Sequence, residues 1–419
     1  MYAIPRFKPS FTFRDIFKSF WPPEGNNGVP KFERAFGDYL GVKGAVCVPS
    51  GRGGLFLILK NLKLAPGDEI ILPSFTFYAV PQVVVRLGLR PVFVDIDPRN
   101  YNIDIQKLKE FIKKRCKINS KTGQLVNRLT GKSIRVIIAT HLFGLPSRIE
   151  AICDLAKKHR IKVIEDCAQA CGVEVGGQKL GTFGYASFFT LGTTKNLPAL
   201  GGGLVASNDQ KLIERIRKEV NKYPLPKGIE KLRLVLEAII MKLATGTILF
   251  PWLTFPLIKA FGLLGKDVVR DLFRENPKRG GKRRKKRMTN FQARLGLKQL
   301  AKLDNSNETR KRNGGLLIQE LAERESIPVP QQKDNIFISF PLLVKEREQF
   351  RKRLRQRGID TSRGYMNDCS NLSIFNKFKT SSPNAERAER EIVHIPIYPA
   401  LSPKELRYIS RVIKDEMEE

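Results

Sequence analysis

The chain has 419 residues, 42% of them hydrophobic, and six cysteines. That length supports two or three domains with sizeable cores, and no low-complexity or fibrous class fits it. Lys and Arg number 75 against 41 Asp and Glu, a net charge of +34 with a pI near 10.1. Such an excess implies either an anionic partner or a basic, solvated surface spread over much of the chain.

Cys47, Cys116, Cys153, Cys167, Cys171 and Cys369 show no CxxC spacing, and several sit in apolar runs. Reduced thiols in a cytoplasmic protein are expected, and no metal site. Arg6, Lys8, Arg14 and Lys18 interrupt every apolar run near the N-terminus, so no secretory pattern is read there.

Residues 1–27 are aromatic and basic, ending in a Pro-Pro-Glu-Gly-Asn-Asn loop, and read as an arm or cap. Phe32, Phe36 and Leu40 give Lys31–Leu40 helical spacing. A strand over Gly44–Pro49 leads into Ser50-Gly51-Arg52-Gly53-Gly54 and a helical run, Leu55–Leu62. Strand, glycine-rich turn and helix start together offer backbone N–H groups to a phosphate.

Further strands are predicted over Asp68–Leu72, Pro91–Asp97 and Val136–Thr140, and a helix over Ile149–His159. Strands alternating with helices imply a mostly parallel sheet with right-handed crossovers. Ile161-Lys162-Val163-Ile164 is then followed at once by Glu165 and Asp166. A buried parallel strand delivers such an acid to its carboxyl end, where α/β sheets keep their ligands. A second apolar run, Ala186–Leu191, leads to Thr193, Thr194, Lys195 and the glycines 201–203. A fixed aspartate and a lysine on an adjacent loop are the two partners that pyridoxal phosphate needs.

After a helix over Asp209–Val220 the pattern changes. Leu243–Ile258 is uncharged but too short for a bilayer, and Pro251 and Pro256 interrupt any helix there. The run Lys278–Arg287, KRGGKRRKKR, has eight basic residues in ten. Apolar and basic stretches together suit a segment lying on an anionic membrane, here 228–287; an internal hairpin or oligomer contact with a solvated basic loop is the other reading. No groove-reading module accompanies the basic run, which argues against nucleic acid. Helical periodicity resumes over Met288–Leu303. Short strands (Ile336–Val344, Ile392–Ile397) and basic helices (Lys345–Arg357, Pro403–Met417) then describe a smaller α+β domain.

Six segments in this order carry a resemblance: the Ser50-Gly51 turn, Pro73-Ser74-Phe75-Thr76-Phe77, Pro91 to Asp97, Glu165-Asp166-Cys167-Ala168-Gln169-Ala170, Thr194-Lys195-Asn196-Leu197, and Arg287-Met288-Thr289-Asn290-Phe291-Gln292-Ala293. They resemble the DegT/DnrJ/StrS family of pyridoxal-phosphate sugar aminotransferases over roughly 28–220 and 287–419. The resemblance implies a type I aminotransferase fold: a mostly parallel sheet flanked by helices, with a smaller α+β C-terminal domain. The domains would be an arm (1–27), a cofactor-binding domain (28–220), an insertion (221–286) and a small domain (287–419).

It also implies a homodimer with shared active sites; cysteine usage points to the cytoplasm, and the insertion would hold the protein against the inner face of the membrane if that segment binds lipid. The reaction would move an amino group from a donor such as glutamate to a keto sugar, in amino-sugar biosynthesis. Lys195 would form the Schiff base and move the proton, and Asp166 would pair with the ring nitrogen. Gln169 would lie near the phenolic oxygen, Phe77 on the ring face, and Gly51 and Thr190 at the phosphate. Two positions depart from the family's usual residues: Arg52 replaces a threonine, and Lys285 replaces an asparagine that reaches across the dimer to the phosphate. For the substrate, loop position suggests His141, Tyr185, Arg363 and Tyr365. A dehydratase of keto sugars is the alternative enzyme, although such relatives usually have histidine in place of this lysine. A non-catalytic, membrane-associated protein on the same fold is the alternative outside enzymes.

Overall fold

A computed structural model of the chain describes residues 3–20, 27–263, 286–324, 327, 330 and 335–417. Its centre is a seven-stranded sheet built from the apolar runs. In chain order the strands are β1 (Gly44–Val48), β2 (Glu69–Pro73), β3 (Arg90–Val94), β4 (Ile134–Thr140), β5 (Lys162–Asp166), β6 (Ala186–Thr190) and β7 (Gly203–Ser207). Their spatial order is β1-β7-β6-β5-β4-β2-β3. Only β7 runs against the others. Strand interiors such as Ile70–Leu72, Val136–Ala139 and Ile164 are buried. Helices cover both faces, which is why the strands read as continuous apolar runs rather than alternating ones.

The helices of this half are α1 (Phe13–Phe20), α2 (Gly28–Leu40), α3 (Gly51–Asn61), α4 (Ala79–Arg86), α5 (Ile105–Arg115), α6 (Ile149–Lys158) and α7 (Gln210–Asn221). Helix α2 begins three residues before its predicted start and ends at Gly41, whose φ of 75° lets the chain turn out of the helix. Helix α3 begins four residues before its prediction, because Ser50 caps it by accepting from the Gly53 N–H. Periodicity alone discounts the glycines at 51, 53 and 54, and the cap overrides them.

The insertion forms α8 (Gly228–Ala244), a π-helical turn (Phe250–Thr254) and α9 (Phe255–Leu263). Pro251 lies in the first turn of the π segment and Pro256 in that of α9. Prolines are tolerated there, so they mark starts rather than breaks in helix formation.

The second half holds α10 (Asn290–Leu300), α11 (Leu303–Ala322), α12 (Arg347–Gln356), α13 (Pro383–Glu391) and α14 (Pro403–Glu416). Strands β8 (Phe340–Leu343) and β9 (Ile392–Ile395) pair antiparallel among them. The core of this half, around Phe337, Phe340, Phe350 and Ile409, is shared with Phe75, Ile96, Leu142 and Phe143 of the first half. The N-terminal arm ties the halves together. Ile4 exchanges backbone bonds with Gly358 and Asp360, at 2.8 and 3.0 Å, while α1 packs on α8 and α10.

Candidate active site

The carboxyl ends of β1, β2, β4, β5 and β6 open into one cavity of about 360 Å³. Strand β5 ends on Asp166, 6% exposed, and the Ala168 N–H donates to its Oδ1 at 3.0 Å. Burial pushes this carboxyl up to about 6, while the Ala168 N–H and Lys195 pull the other way. Lys195 stands across the cavity on the loop after β6. That loop is closed on itself: Leu191 N–H reaches the Gly202 carbonyl, and the Ala199 and Gly201 N–H groups reach the Leu191 carbonyl. Gly202, at φ 83°, meets Met288 closely enough that an added Cβ would lie 2.5 Å from its Cε. Burial lowers the Lys195 amine to about 8, and Asp166 opposes the shift.

Gln169 lines the cavity and is fixed by accepting the Phe143 N–H at 3.0 Å through Oε1. Gly51 packs against β6, where a Cβ would come within 3.1 to 3.4 Å of Thr190 atoms and the Phe189 carbonyl. The start of α3 therefore approaches the Thr190 hydroxyl closely. The first N–H groups of a helix have no intrahelical partner and favour an anion. Arg52, Phe77 and Tyr365 also line the cavity.

His141 lines it too, but both ring nitrogens are engaged. The Ser147 N–H donates to Nδ1 at 3.1 Å, so the proton sits on Nε2 and points to Glu165 at 3.3 Å. Glu165 in turn accepts from the Gly181, Phe183 and Gly184 N–H groups. His141, Glu165 and Cys167 cluster within ligand distance, and Glu165 there serves as a hydrogen-bonded brace under β5.

Two of the substrate residues read from loop position stay outside. Tyr185 precedes β6 and so stands at the amino end of the sheet, bonded to Asp209 at 2.7 Å under the Lys162 ammonium. Arg363 pairs with Glu348 at 4.0 Å and does not line the cavity. Lys285 lies outside the described residues. Sequence reading missed Thr140, Met366 and Asn367, all of which line the cavity. Thr140 had a signal, a hydroxyl at the carboxyl end of a strand. Met366 and Asn367 follow the expected Tyr365 in the same loop and carried no signal of their own.

The Thr76 and Thr140 hydroxyls are buried at the cavity with no partner among the described residues. Orphaned hydroxyls, a lysine facing an aspartate, and a helix start against a threonine fit pyridoxal phosphate in charge and donor set.

This architecture is the type I aminotransferase fold. The family profile described as the DegT/DnrJ/EryC1/StrS aminotransferase family matches residues 10–414, and the chain belongs to that family, whose cofactor is pyridoxal phosphate. The chain is 39% identical over 194 residues to a UDP-N-acetyl-3-dehydro-α-D-glucosamine 3-aminotransferase of Acidithiobacillus ferrooxidans. That match covers 46% of this chain and 47% of the relative, so it spans about half the relative's length. A dTDP-3-amino-3,6-dideoxy-α-D-galactopyranose transaminase of Aneurinibacillus thermoaerophilus is 28% identical, covering 95% of this chain and 92% of its own. The structure of Helicobacter pylori PseC, an aminotransferase involved in the biosynthesis of pseudoaminic acid, overlays with TM-score 0.74 at 19% identity. It covers 99% of both chains and shows the shared fold.

Proposed function

We propose that this chain transfers an amino group from an amino acid donor, such as glutamate, to a keto sugar carried on a nucleotide. The observation that carries the reading is the placement of Lys195 and Asp166 in one cavity at the carboxyl end of the sheet. When bound, pyridoxal phosphate supplies an electron sink that makes the hydrogen on the donor's Cα acidic. Lys195 Nζ takes that proton and returns it, as a general base and then a general acid. Its depressed basicity leaves much of the amine neutral near pH 8. Asp166, its carboxylate fixed by the Ala168 N–H, would pair with a cationic ring nitrogen. Thr190, Arg52 and the first turn of α3 would hold the phosphate. Thr76 and Thr140 would supply hydroxyls to polar groups of the ligand, and Phe77 an aromatic face.

The test is to mix the holoenzyme with glutamate and a panel of nucleotide-linked keto sugars. An amino sugar and a 2-oxo acid should form together. Deoxygenation instead of amination would assign the chain to the dehydratases, and silence across the panel would leave the non-catalytic reading.

The pH dependence of cofactor capture follows from the same lysine. Only the neutral amine attacks an aldehyde. The attack rate of apoprotein on pyridoxal phosphate should therefore rise with pH and level off through about 8, well below the range of an ordinary lysine. Stopped-flow absorbance checks this, and a rise that continues past pH 10 would show an unperturbed amine.

We further propose that the protein works as a homodimer on an anionic membrane surface. Among the described residues no helix is long and apolar enough to cross a membrane. Helix α8 nevertheless turns Ile229, Leu232, Leu236, Ile240 and Leu243 outward, and Trp252 is 71% exposed. Phe13 and Phe17 of α1 are exposed beside them, 48 and 69%. So large an apolar face marks a docking surface. The net charge of +34 favours anionic lipid over a second equally basic copy at this face. The full chain should sediment with anionic vesicles at low salt, release as salt rises, and lose binding when 228–284 are deleted. Absence of vesicle binding at low salt refutes the lipid assignment, and self-association through this face would assign it to a second copy.

A further inference from the structure

Gly364 stands at φ 71°, one residue before Tyr365, which lines the cavity. A Cβ added to it would lie 2.3 Å from Nε2 of His394 on β9, and 2.9 and 3.0 Å from the ring carbons Cδ2 and Cε1. The imidazole edge therefore fills the space of a side chain at 364, and only glycine admits it there. Further contacts hold this histidine. Ser339 Oγ lies 2.6 Å from Nδ1, and because a histidine χ2 is otherwise broad, this bond selects one ring orientation. The Phe143 ring meets the imidazole edge to face, with centroids 5.0 Å apart. The backbones of His394 and Ser362 exchange bonds of 2.7 and 3.3 Å. Nε2 is buried with no hydrogen-bond partner among the described residues. Burial, with the Arg351, Arg347 and Lys195 cations nearby, pushes the ring down to about 3, so it is neutral and acts through shape rather than charge.

We propose that His394 is a positioning residue, a strut that sets Tyr365 against Gln169 and so fixes the grip on the ligands seated in the cavity. Its ring touches both halves of the chain. On one side Phe143, at φ 59°, donates its N–H to Gln169 Oε1 at 3.0 Å. On the other, Gly364 leads straight into Tyr365 and Met366. A rigid ring locked at both contacts carries a displacement of one wall to the other. Lys195 lies outside this chain of contacts, because its loop is closed by its own backbone bonds. Losing the strut therefore weakens binding and leaves proton transfer by the lysine in place. The inference rests on the transaminase reading for the identity of the ligands alone.

The test uses the full chain and two probes: pyridoxal phosphate, whose dissociation constant is measured, and glutamate, whose half-reaction is followed by the cofactor's absorbance. His394→Ala should raise the cofactor's dissociation constant and the glutamate concentration at half-saturation roughly tenfold, within the range for residues coupled by contact. The maximal rate of the half-reaction should stay unchanged. Gly364→Ala drives a methyl into the ring and should act the same way. Combined in one chain, the two substitutions should cost less than their sum, because the methyl enters the space that the ring vacated. Such rescue at the level of ligand binding is what a merely structural role would not give. Ser339→Ala frees the ring's rotation and should give a smaller effect in the same direction. It carries the test if the other variants misfold, which circular dichroism reports. Unchanged binding in folded variants, additive losses in the double variant, or a fall in maximal rate with half-saturation unchanged overturns the proposal. A wild type that binds the cofactor but never reacts with glutamate sinks the transaminase reading, and the cycle of cofactor dissociation constants still decides the strut.

Discussion

Lys195→Ala should lower amino transfer by at least roughly 10⁴-fold, the upper range for a positioned acid–base group. The protein should still fold and still bind pyridoxal phosphate. The reason lies in how the lysine is held. Its loop is pinned by backbone bonds at Leu191, Ala199 and Gly201 rather than by the side chain, so truncation removes the amine and leaves the loop closed. The phosphate contacts proposed for α3 and Thr190 would likewise be independent of the amine. The cofactor should then be held without a covalent bond, and the absorbance of the lysine adduct should be replaced by that of the free aldehyde. An unchanged spectrum in this variant would mean that another amine carries the cofactor. Added small amines should restore part of the lost rate, because the cavity freed by truncation admits a base of that size.

Asp166→Asn should cost roughly 10² to 10³ in turnover, the scale of removing one preorganised electrostatic partner. The substitution is nearly isosteric, and the Ala168 N–H can still donate to the amide oxygen, so packing of β5 should survive. What is lost is the charge facing the ring nitrogen and facing Lys195. Loss of Asp166 also removes the interaction that raises the Lys195 amine, so its pKa should fall further below 8. The variant's rate of cofactor capture should therefore level off at lower pH than the wild type, even as transfer slows. A loss of turnover with no change in that profile would place the effect outside the pair. A variant as active as wild type would remove Asp166 from the chemistry.

Much of this site was legible in the chain because parallel strands announce themselves. An apolar run ended by an acid put Asp166 at the carboxyl end of β5, and a glycine-rich turn put Gly51 at a helix start. Strand polarity explains the failure at Tyr185. It lies next to an apolar run, but before it, and five residues at about 3.3 Å each carry the chain across the sheet to Thr190. Arg363 failed for a different reason: its loop follows α12, and Glu348 on that helix claims it. Helix α5 gave no readable period because Lys107, Lys109, Lys113 and Lys114 dilute an apolar face whose buried residues are only Leu108 and Ile112. Helix α11 hid its face in the same way, since Asn307, Arg310 and Asn313 are buried where periodicity looks for leucine. Those polar residues donate to the Cys171, Phe337, Ile397 and Tyr398 carbonyls, so the rule that polar means exposed fails there.

The bond between Arg6 and Asp360 joins residues 354 positions apart. Arg6 thus belongs to a contact of long sequence separation, and closing so long a loop slows folding. A nascent or partly folded molecule can complete the central sheet, and with it Asp166 and Lys195, before this contact exists. Clipping the first residues should therefore loosen the second half while leaving the central sheet, and its capture of the cofactor, in place.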